Sequence, residues 1–178
     1  MTGQNAGARV LLLTGLPGVG KTTVMRAVPA LLPGWRLAGF TTEEIRECGR
    51  RLGFRGTTLG GHETVIAHIS FPGPARVGRY GVDIQTLDEI ARALDPDQLA
   101  DVYLVDEIGR MECLSPAFVA AVRTLLAAPV RLVATVAARG GGVIAEVKAQ
   151  PGAALWQVTH ANRSSLAAEV AAWLEVSS

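Results

Sequence analysis

A glycine-rich stretch with one lysine, G-L-P-G-V-G-K-T-T at Gly15–Thr23, carries the clearest chemistry in the sequence. It matches the pattern G-x-x-x-x-G-K-[ST], in which the backbone N–H groups of Gly18–Thr22 point into one concavity and hold phosphate oxygens. The glycines permit positive φ and close approach of a phosphate. Lys21 is placed to neutralise the β- and γ-phosphates, and the Thr22 hydroxyl to bind Mg²⁺. The stretch predicts a site for a nucleoside triphosphate.

Two adjacent carboxylates, Asp106 and Glu107, supply the other half of such a site. They follow the apolar run Val102–Val105, so they stand where a buried parallel strand should end, and ligands bind at that edge of α/β sheets. Asp106 is placed to hold Mg²⁺ through a water, and Glu107 to orient and deprotonate an attacking water. The pattern favours hydrolysis, with Lys21 and Glu107 as catalytic residues.

The elements that must position these residues alternate between apolar strands and helices. Strands are predicted at Val10–Thr14, Leu37–Ile45, Val102–Glu107, Arg131–Val136 and Ala154–Val158. Helices are predicted from Lys21, at Gln85–Leu94, at Pro116–Ala127, near Val143–Ala149 and near Ala161–Val176. This alternation indicates an α/β domain with a mostly parallel sheet covered on both faces. The whole chain, 1–178, is expected to form one domain, with residues 1–8 flexible.

An antiparallel insertion is predicted in the middle of the chain. Two β-rich runs, Arg50–Gly61 and Thr64–Phe71, are joined by Gly-Gly-His and have the pattern of a hairpin. The following segment, R-V-G-R-Y-G-V-D-I at Arg76–Ile84, predicts a loop and a short strand.

Three helix ends have local signals. Pro29 should kink or end the helix that begins at Lys21. Thr86 and Glu89 have the spacing of a capping box, and Ser115 precedes a helix as a cap.

The overall composition favours neither nucleic acid nor membrane as a partner. With 17 Lys and Arg against 16 Asp and Glu, the net charge is +1. The most apolar region, Phe118–Arg139, is interrupted by two arginines and a proline, well short of the ~18–20 uncharged residues that a membrane span needs. The N-terminal segment has no apolar signal core, so a cytoplasmic location is expected. Cys48 and Cys113 match no metal or redox spacing and are expected as reduced thiols.

Further polar and aromatic residues have no motif that fixes their role. Thr135 ends an apolar strand and is placed either to touch the γ-phosphate or attacking water, or to cap a turn. The segment Thr159–Ser165 is a candidate base pocket, because it lies beside a predicted strand end. The histidines and two tryptophans are expected to be structural: His62, His68, His160, Trp156 and Trp173. Eight arginines near loops are candidates to stabilise transition-state charge: Arg46, Arg50, Arg51, Arg76, Arg79, Arg110, Arg139 and Arg163.

Four longer blocks carry a resemblance to a known family. They are G-F-T-T-E-E-I-R-E-C-G-R-R-L-G-F at Gly39–Phe54, R-V-G-R-Y-G-V-D at Arg76–Asp83, V-D-E-I-G-R-M-E at Val105–Glu112 and V-T-H-A-N-R-S-S-L at Val158–Leu166. In this order and at these distances the chain resembles the small P-loop nucleoside-triphosphatase family of thermophilic bacteria, archaea and animals. The cancer-related nucleoside-triphosphatase belongs to that family. The resemblance spans nearly the whole chain.

The resemblance implies a P-loop NTPase sandwich and slow hydrolysis of ATP, GTP, CTP and UTP to diphosphate and phosphate, with Mg²⁺ as cofactor and broad base specificity. It implies that two stretches bind nucleotide: Gly15, Leu16, Pro17, Gly18, Val19, Gly20, Lys21 and Thr22, and Val102, Tyr103, Leu104, Val105, Asp106, Glu107, Ile108 and Gly109. The chain departs from the family where Pro29 and Pro33 interrupt a longer helix. It also departs at the glycine-rich segment that follows Thr135, so no catalytic role carries over to Arg139.

Two other classes use the same phosphate loop. In a kinase, a hydroxyl-bearing acceptor would replace water, and the segment T-T-E-E-I-R at Thr41–Arg46 offers hydroxyls. Against a kinase, the sequence has no arginine-bearing lid motif, and Glu107 beside Asp106 suits water. In a nucleotide-dependent switch, the output would be the binding of a partner. Phosphate release without an acceptor separates hydrolase from kinase, and partner retention in one nucleotide state identifies a switch.

Overall fold

A computed structural model of the chain describes residues 7–176. Its strands are β1 (Val10–Gly15), β2 (Leu37–Glu47), β3 (Arg50–Thr58), β4 (Glu63–His68), β5 (Arg76–Val77), β6 (Tyr80–Val82), β7 (Val102–Ile108), β8 (Leu132–Ala137) and β9 (Ala154–Gln157). Its α-helices are α1 (Lys21–Ala27), α2 (Ile84–Ala91), α3 (Pro116–Ala127), α4 (Val143–Lys148) and α5 (Leu166–Val176). The strands form one mixed sheet in the order β5-β6-β4-β3-β2-β7-β8-β1-β9.

The parallel half of the sheet is β2-β7-β8-β1-β9. Its central strands are apolar along their length, and β1 and β8 are buried almost throughout. Such runs bury both faces of a strand, which requires helices on both sides of the sheet. Because the strands are parallel, their carboxyl ends share one edge, and the loops after β1, β7, β8 and β9 meet there.

Two hydrophobic clusters cover the two faces. Helices α1 and α5 pack on one face around Met25, Leu13 and Leu174. Helices α2, α3 and α4 cover the other face around Phe40, Phe118 and other buried apolar residues. The predicted three-layer α/β sandwich is therefore confirmed. Within residues 7–176, no helix has the length and apolarity that crossing a membrane requires.

The antiparallel insertion is present and is larger than a hairpin. β2 pairs with β7 in parallel through Leu37–Phe40 and then continues to pair with β3 in antiparallel register. β3 and β4 form the predicted hairpin, which ends earlier than expected, at Thr58 and His68. The loop and short strand predicted after it are the two short strands β5 and β6. The sheet therefore extends on one side by four strands beyond β2.

The helix ends confirm two of the three signals and correct the third. α1 stops at Ala27 and continues as a 3-10 turn that contains Pro29, because a proline interrupts the α-helical hydrogen bonds. The Ser115 side chain caps α3 as predicted. The expected capping box at Thr86 and Glu89 is wrong. Asp83 caps α2 instead by accepting from the Thr86 N–H, and the helix begins at Ile84, one residue before the predicted Gln85.

The last helix begins at Leu166 rather than Ala161. Residues 159–165 form turns in which Asn162 bonds back to Thr159 and Gln157. Of the N-terminal segment expected to be flexible, residues 1–6 lie outside the described part of the chain, and Ala8 is buried in the core.

Candidate active site

The phosphate loop connects β1 to α1 and has the backbone that its glycines predict. Gly18 and Gly20 have φ of 78° and 109°, which residues with a side chain rarely adopt. Gly15 lies against the last strand: a Cβ there would stand 2.7 Å from the Val158 carbonyl oxygen. The loop is therefore an open cradle whose start is fixed by the strand beside it.

Lys21 joins this loop to the next part of the site. Its side chain is buried, and its ammonium donates to the Gly15 carbonyl oxygen at 3.1 Å. The same nitrogen lies 3.3 Å from Glu107 Oε2. The lysine of the phosphate loop and the proposed base therefore touch at the carboxyl edge of the sheet, where the sequence predicted Asp106 and Glu107 to stand.

Asp106 is fully buried and held on both of its oxygens. Its Oδ2 accepts from the Thr42 hydroxyl at 2.9 Å and from the Thr42 N–H at 3.3 Å. Its Oδ1 accepts from the Thr135 hydroxyl at 2.6 Å. Strands β2 and β8, on either side of β7, thus fix one carboxylate. Thr135 neither caps a turn nor stands free: its hydroxyl is committed to Asp106.

A register shift in the β7–β8 pairing lies at the same point. Val105 pairs with Ala134 and Ile108 with Val136, so β7 uses three residue steps where β8 uses two. An extra residue of this kind re-aims side chains, and such bulges are common beside active sites. It accompanies the two consecutive carboxylates of Asp106 and Glu107 at the end of the strand.

Glu107 and Glu112 form a second pair of carboxyl groups behind the first. A Cβ on Gly109 would meet Glu112 Oε2 at 2.9 Å and Glu107 Oε1 at 3.1 Å, so both oxygens border the same point. Burial raises the pKa of Glu107, the Lys21 ammonium opposes this shift, and the Asp106 charge adds to it. Burial raises the pKa of Glu112 to about 8, and the charges of Glu107 and Asp106 act in the same direction. At neutral pH Glu112 is thus mainly a neutral acid.

The residues at this edge fit a magnesium ion. Asp106 and Thr22 offer a carboxylate and a hydroxyl, and Mg²⁺ prefers oxygen ligands, keeps several waters and binds through one or two carboxylates and substrate phosphates. Three hydrogen bonds use most of the Asp106 acceptor capacity of about four. That occupancy agrees with contact through a water. Among residues 7–176, no group of three or more His, Cys, Asp or Glu could hold a metal by itself.

The two predicted nucleotide-binding stretches differ in what they expose. Leu16 and Pro17 stand at the surface of the phosphate loop, while Val19 is buried beneath it. In the second stretch, the sheet buries Val102 to Val105 in the two clusters. Glu107 is the one residue of Val102–Gly109 that is more than marginally exposed. The apolar part of the stretch positions the carboxylates, and its contact with nucleotide stays a prediction.

The eight candidate arginines fall into different environments. Arg46 and Arg51 both pair with Glu44 on the insertion. Arg76 and Arg79 donate to backbone carbonyls, and Arg79 also to the Tyr80 hydroxyl. Within residues 7–176, the side chains of Arg50, Arg110, Arg139 and Arg163 have no hydrogen bond or ion pair with protein groups. Arg163 is close to the phosphate loop, with its Cδ 3.0 Å from a Cβ built on Gly20.

The aromatic and imidazole side chains lie apart from the carboxylates. Trp173 is buried in the core, and Trp156 packs against it with ring centroids 6.5 Å apart. His68 bonds to Ser70. His62 and His160 are exposed at the surface.

Two residues of the site, Thr42 and Glu112, were not predicted from the sequence. Thr42 and Glu112 lie inside the blocks Gly39–Phe54 and Val105–Glu112, but neither was given a role at the carboxylates. Thr42 reaches Asp106 only because β2 pairs with β7, 64 residues away along the chain. Arg163 was one of eight equivalent candidates until the fold placed it on Gly20. The sequence feature that could have predicted Thr42 is its position two residues after the part of β2 that pairs in parallel with β7.

These features define a class of protein. A mostly parallel sheet covered on both faces, a glycine loop between β1 and α1, and a carboxylate pair near the end of β7, two strands away from β1, make an α/β protein with a P-loop NTPase-like fold. The chain belongs to the NTPase family, whose profile matches residues 10–171.

Named relatives agree with this assignment. Over 162 residues the chain is 38% identical to nucleoside-triphosphatase THEP1 of Thermotoga petrophila, covering 90% of this chain and 89% of the relative. It is 34% identical to the human cancer-related nucleoside-triphosphatase, covering 92% and 95%. The crystal structure of THEP1 from Aquifex aeolicus matches with a TM-score of 0.80 at 35% identity, covering 93% of this chain and 98% of that one. The solution structure of the human protein matches with a TM-score of 0.81 at 32% identity, covering 96% and 100%.

Proposed function

We propose that the chain is a nucleoside-triphosphatase that hydrolyses ATP, GTP, CTP and UTP to diphosphate and phosphate, slowly, with Mg²⁺ and with little preference among bases. The observation that supports it most is the contact between Lys21 and Glu107 at 3.3 Å. It supports the proposal because the lysine proposed to bind phosphate is in contact with the carboxylate proposed to activate water. Family membership supports the hydrolase class, since the relatives are named nucleoside-triphosphatases.

Lys21 has two tasks in this proposal. With no phosphate present, its ammonium is shared by the Gly15 carbonyl and Glu107. Phosphate oxygens are stronger partners for an ammonium than a carbonyl is, so a bound triphosphate draws the ammonium toward itself. Glu107 then loses its cation and is free to accept a proton from a water placed in line with the γ-phosphate.

Their surroundings give Asp106 and Glu107 different roles in this proposal. Asp106 is closed in by Thr42 and Thr135, so it is unsuited to receive a proton from an attacking water. Glu107 is partly exposed and faces the phosphate loop. Asp106 and Thr22 would hold Mg²⁺, which neutralises charge on the β- and γ-phosphates when bound. Thr42 also donates its hydroxyl to Asp106, which takes that hydroxyl out of use as a phosphoryl acceptor.

The slow rate follows from the arginines. An arginine at the γ-phosphate is worth about 10³–10⁵ in rate. Among residues 7–176, no candidate arginine has a hydrogen bond or ion pair with Lys21 or Glu107, and Arg163 follows β9, which β1 and β8 separate from β7. We expect kcat well below the median of about 10 s⁻¹ for enzymes.

The test is phosphate release from each triphosphate with Mg²⁺ and no acceptor, followed by single-turnover hydrolysis by Glu107→Gln. General-base catalysis is worth about 10²–10⁴, so this variant should bind MgATP like the parent and hydrolyse it at least about a hundredfold more slowly. Asp106→Asn should in addition need more Mg²⁺. Glu175→Gln, at an exposed glutamate of α5, is the matched control and should behave as the parent. Hydrolysis by Glu107→Gln within a few-fold of the parent would exclude Glu107 as the base.

A further inference from the structure

The loop after the last strand lies directly on the phosphate loop. β9 pairs with β1, and the Val158 N–H donates to the Thr14 carbonyl at 2.7 Å, immediately before Gly15. A Cβ on Gly15 would collide with the Val158 carbonyl, so the two backbones are in close contact. Five residues later the Arg163 side chain reaches Gly20, with its stem nearest and Nη1 3.7 Å from the position of a Cβ. Arg163 therefore stands beside the triphosphate site.

The strand order decides which end of the nucleotide Arg163 faces. Lys21 reaches toward Glu107, which is on β7. Arg163 follows β9, and β1 separates β9 from β8 and β7. If the γ-phosphate lies by Lys21 and Glu107, then Arg163, which follows β9, lies on the side of the loop away from β7. A nucleoside that leaves the loop on that side would meet Arg163, which is then badly placed for an arginine finger and well placed for a base.

Three polar side chains of the same loop, those of Thr159, Asn162 and Ser165, already have hydrogen-bond partners in the protein. Asn162 Oδ1 accepts from the Thr159 N–H at 2.8 Å and from the Thr159 hydroxyl at 3.1 Å, and Asn162 Nδ2 donates to the Gln157 carbonyl at 2.8 Å. The Ser165 hydroxyl bonds to Glu169 and to the Asn162 carbonyl. In the described part of the chain, by contrast, the Arg163 guanidinium has no hydrogen bond or ion pair to a protein group. Hydrogen bonds thus cross-link the loop, and the Arg163 side chain contacts Gly20 while its guanidinium has no hydrogen-bond partner among the described residues.

We propose that the Arg163 guanidinium is the platform for the base: it stacks flat on the base of the bound nucleotide and holds it without reading its edges. This rests on the proposed function, which places the triphosphate on the loop. A planar cation stacks on any base because every base has a π face. Selection among bases needs donors and acceptors aimed at base edges, and Asn162, Thr159 and Ser165 are bonded within the loop. Broad base use then follows from the site itself.

The experiment compares ligands with and without a nucleoside. Binding of non-hydrolysable ATP and GTP analogues and of inorganic tripolyphosphate, each with Mg²⁺, is measured by equilibrium titration or competition. The variant is Arg163→Met, which keeps a flexible stem on Gly20 and removes the guanidinium. Both analogues should bind about 5- to 100-fold more weakly, the range that stacking of a base supplies, while tripolyphosphate should bind as it does to the parent. Arg163→Lys, which keeps the charge without the planar face, should resemble Arg163→Met.

Each other outcome contradicts the proposal in a distinct way. Equal loss of tripolyphosphate and ATP analogue, restored by Arg163→Lys, would mean that Arg163 serves the phosphates. Unchanged analogue binding would mean that it serves neither. A loss confined to one base would mean that it reads an edge. Arg92→Ala, at an exposed arginine of the 3-10 turn after α2, is the control and should bind all three ligands normally. Because binding is measured rather than turnover, the result stands even if the chain proves not to hydrolyse nucleotides.

Discussion

At the scale of single residues, the three carboxyl groups of this site differ in the groups that surround them. Asp106 is closed in by two threonine hydroxyls, Glu107 faces an ammonium, and Glu112 lies in the core behind them. Three carboxyl groups in so small a volume cannot all be charged at low cost. Glu112 is the group that burial keeps protonated, which limits the charge at the edge that has to receive a triphosphate.

The buried acid Glu112 predicts a pH dependence of stability. Its pKa is about 8 in the folded chain against an ordinary 4.5, so the folded state binds more protons than the unfolded state between these values. The free energy of unfolding should therefore fall as the pH rises from about 5 to 8. Glu112→Gln keeps the shape and removes the titration, so the parent should lose about 2–4 kcal/mol relative to the variant across this range, at ~1.4 kcal/mol for each pKa unit.

The measurement is urea unfolding of both proteins at pH 5.5 and 8.5 without nucleotide or Mg²⁺. Burial also raises the pKa of Glu107, which acts in the same direction in both proteins, so the difference between them isolates Glu112. Parallel pH profiles for parent and variant would show that Glu112 titrates normally.

The sequence predicted the positions of those residues that lie at the end of a single strand or in the loop that follows it. Lys21, Asp106 and Glu107 meet because the carboxyl ends of parallel strands always share an edge. Thr42 and the hydroxyl contact of Thr135 were not predictable, since each depends on which strand pairs with β7 and in which register. No local pattern encodes that pairing.

At the scale of elements, the loop between β9 and α5 is held by one side chain. The sequence predicted a helix from near Ala161. The three side-chain hydrogen bonds of Asn162 instead fold residues 157–162 into turns that delay the helix to Leu166. The capping box at Thr86 is absent for a similar reason, because the Thr86 N–H donates to the Asp83 carboxylate, which caps the helix instead. Nearby polar side chains compete for the same backbone groups, and this competition decides where a helix begins. Sequence patterns do not show which side chain makes the bond, so they predict helix boundaries poorly.

Asn162→Ala should therefore weaken nucleotide binding indirectly, by changing the position of Arg163. Without its bonds to Thr159 and Gln157, the loop no longer holds Arg163 on Gly20, and the ATP and GTP analogues should bind several-fold more weakly. Tripolyphosphate binding should change little, and the midpoint of thermal unfolding should fall slightly. Asn162→Asp, which keeps the acceptor and loses the donor to Gln157, should lie between parent and Asn162→Ala. The exposed Ser164→Ala is the control. Normal analogue binding by Asn162→Ala would show that the loop positions Arg163 without Asn162.

At the scale of the whole molecule, the site joins the two faces of the sheet. The phosphate loop leads into α1, which packs on the cluster around Leu13 and Met25, whereas Asp106 and Glu107 lead into the turn before α3, on the cluster around Phe40 and Phe118. A ligand that contacts both the phosphate loop and the carboxylates of β7 loses its binding site when the sheet unfolds. Binding at the site should therefore stabilise the complete fold rather than one segment of it.

This predicts one cooperative thermal transition that a bound nucleotide shifts as a whole. A Mg²⁺-bound non-hydrolysable ATP analogue at 100 times its Kd should add ~2.7 kcal/mol to the free energy of unfolding. For a chain of this size that raises Tm by roughly 5–10 °C. Lys21→Ala removes the ammonium between the two sides, so at the same ligand concentration its Tm should scarcely rise, although it still unfolds in a single transition without ligand. Calorimetry of both proteins with and without the analogue makes the comparison. An equal rise of Tm in Lys21→Ala would place nucleotide binding elsewhere, and two separate transitions in the parent would show that the two faces of the sheet unfold independently.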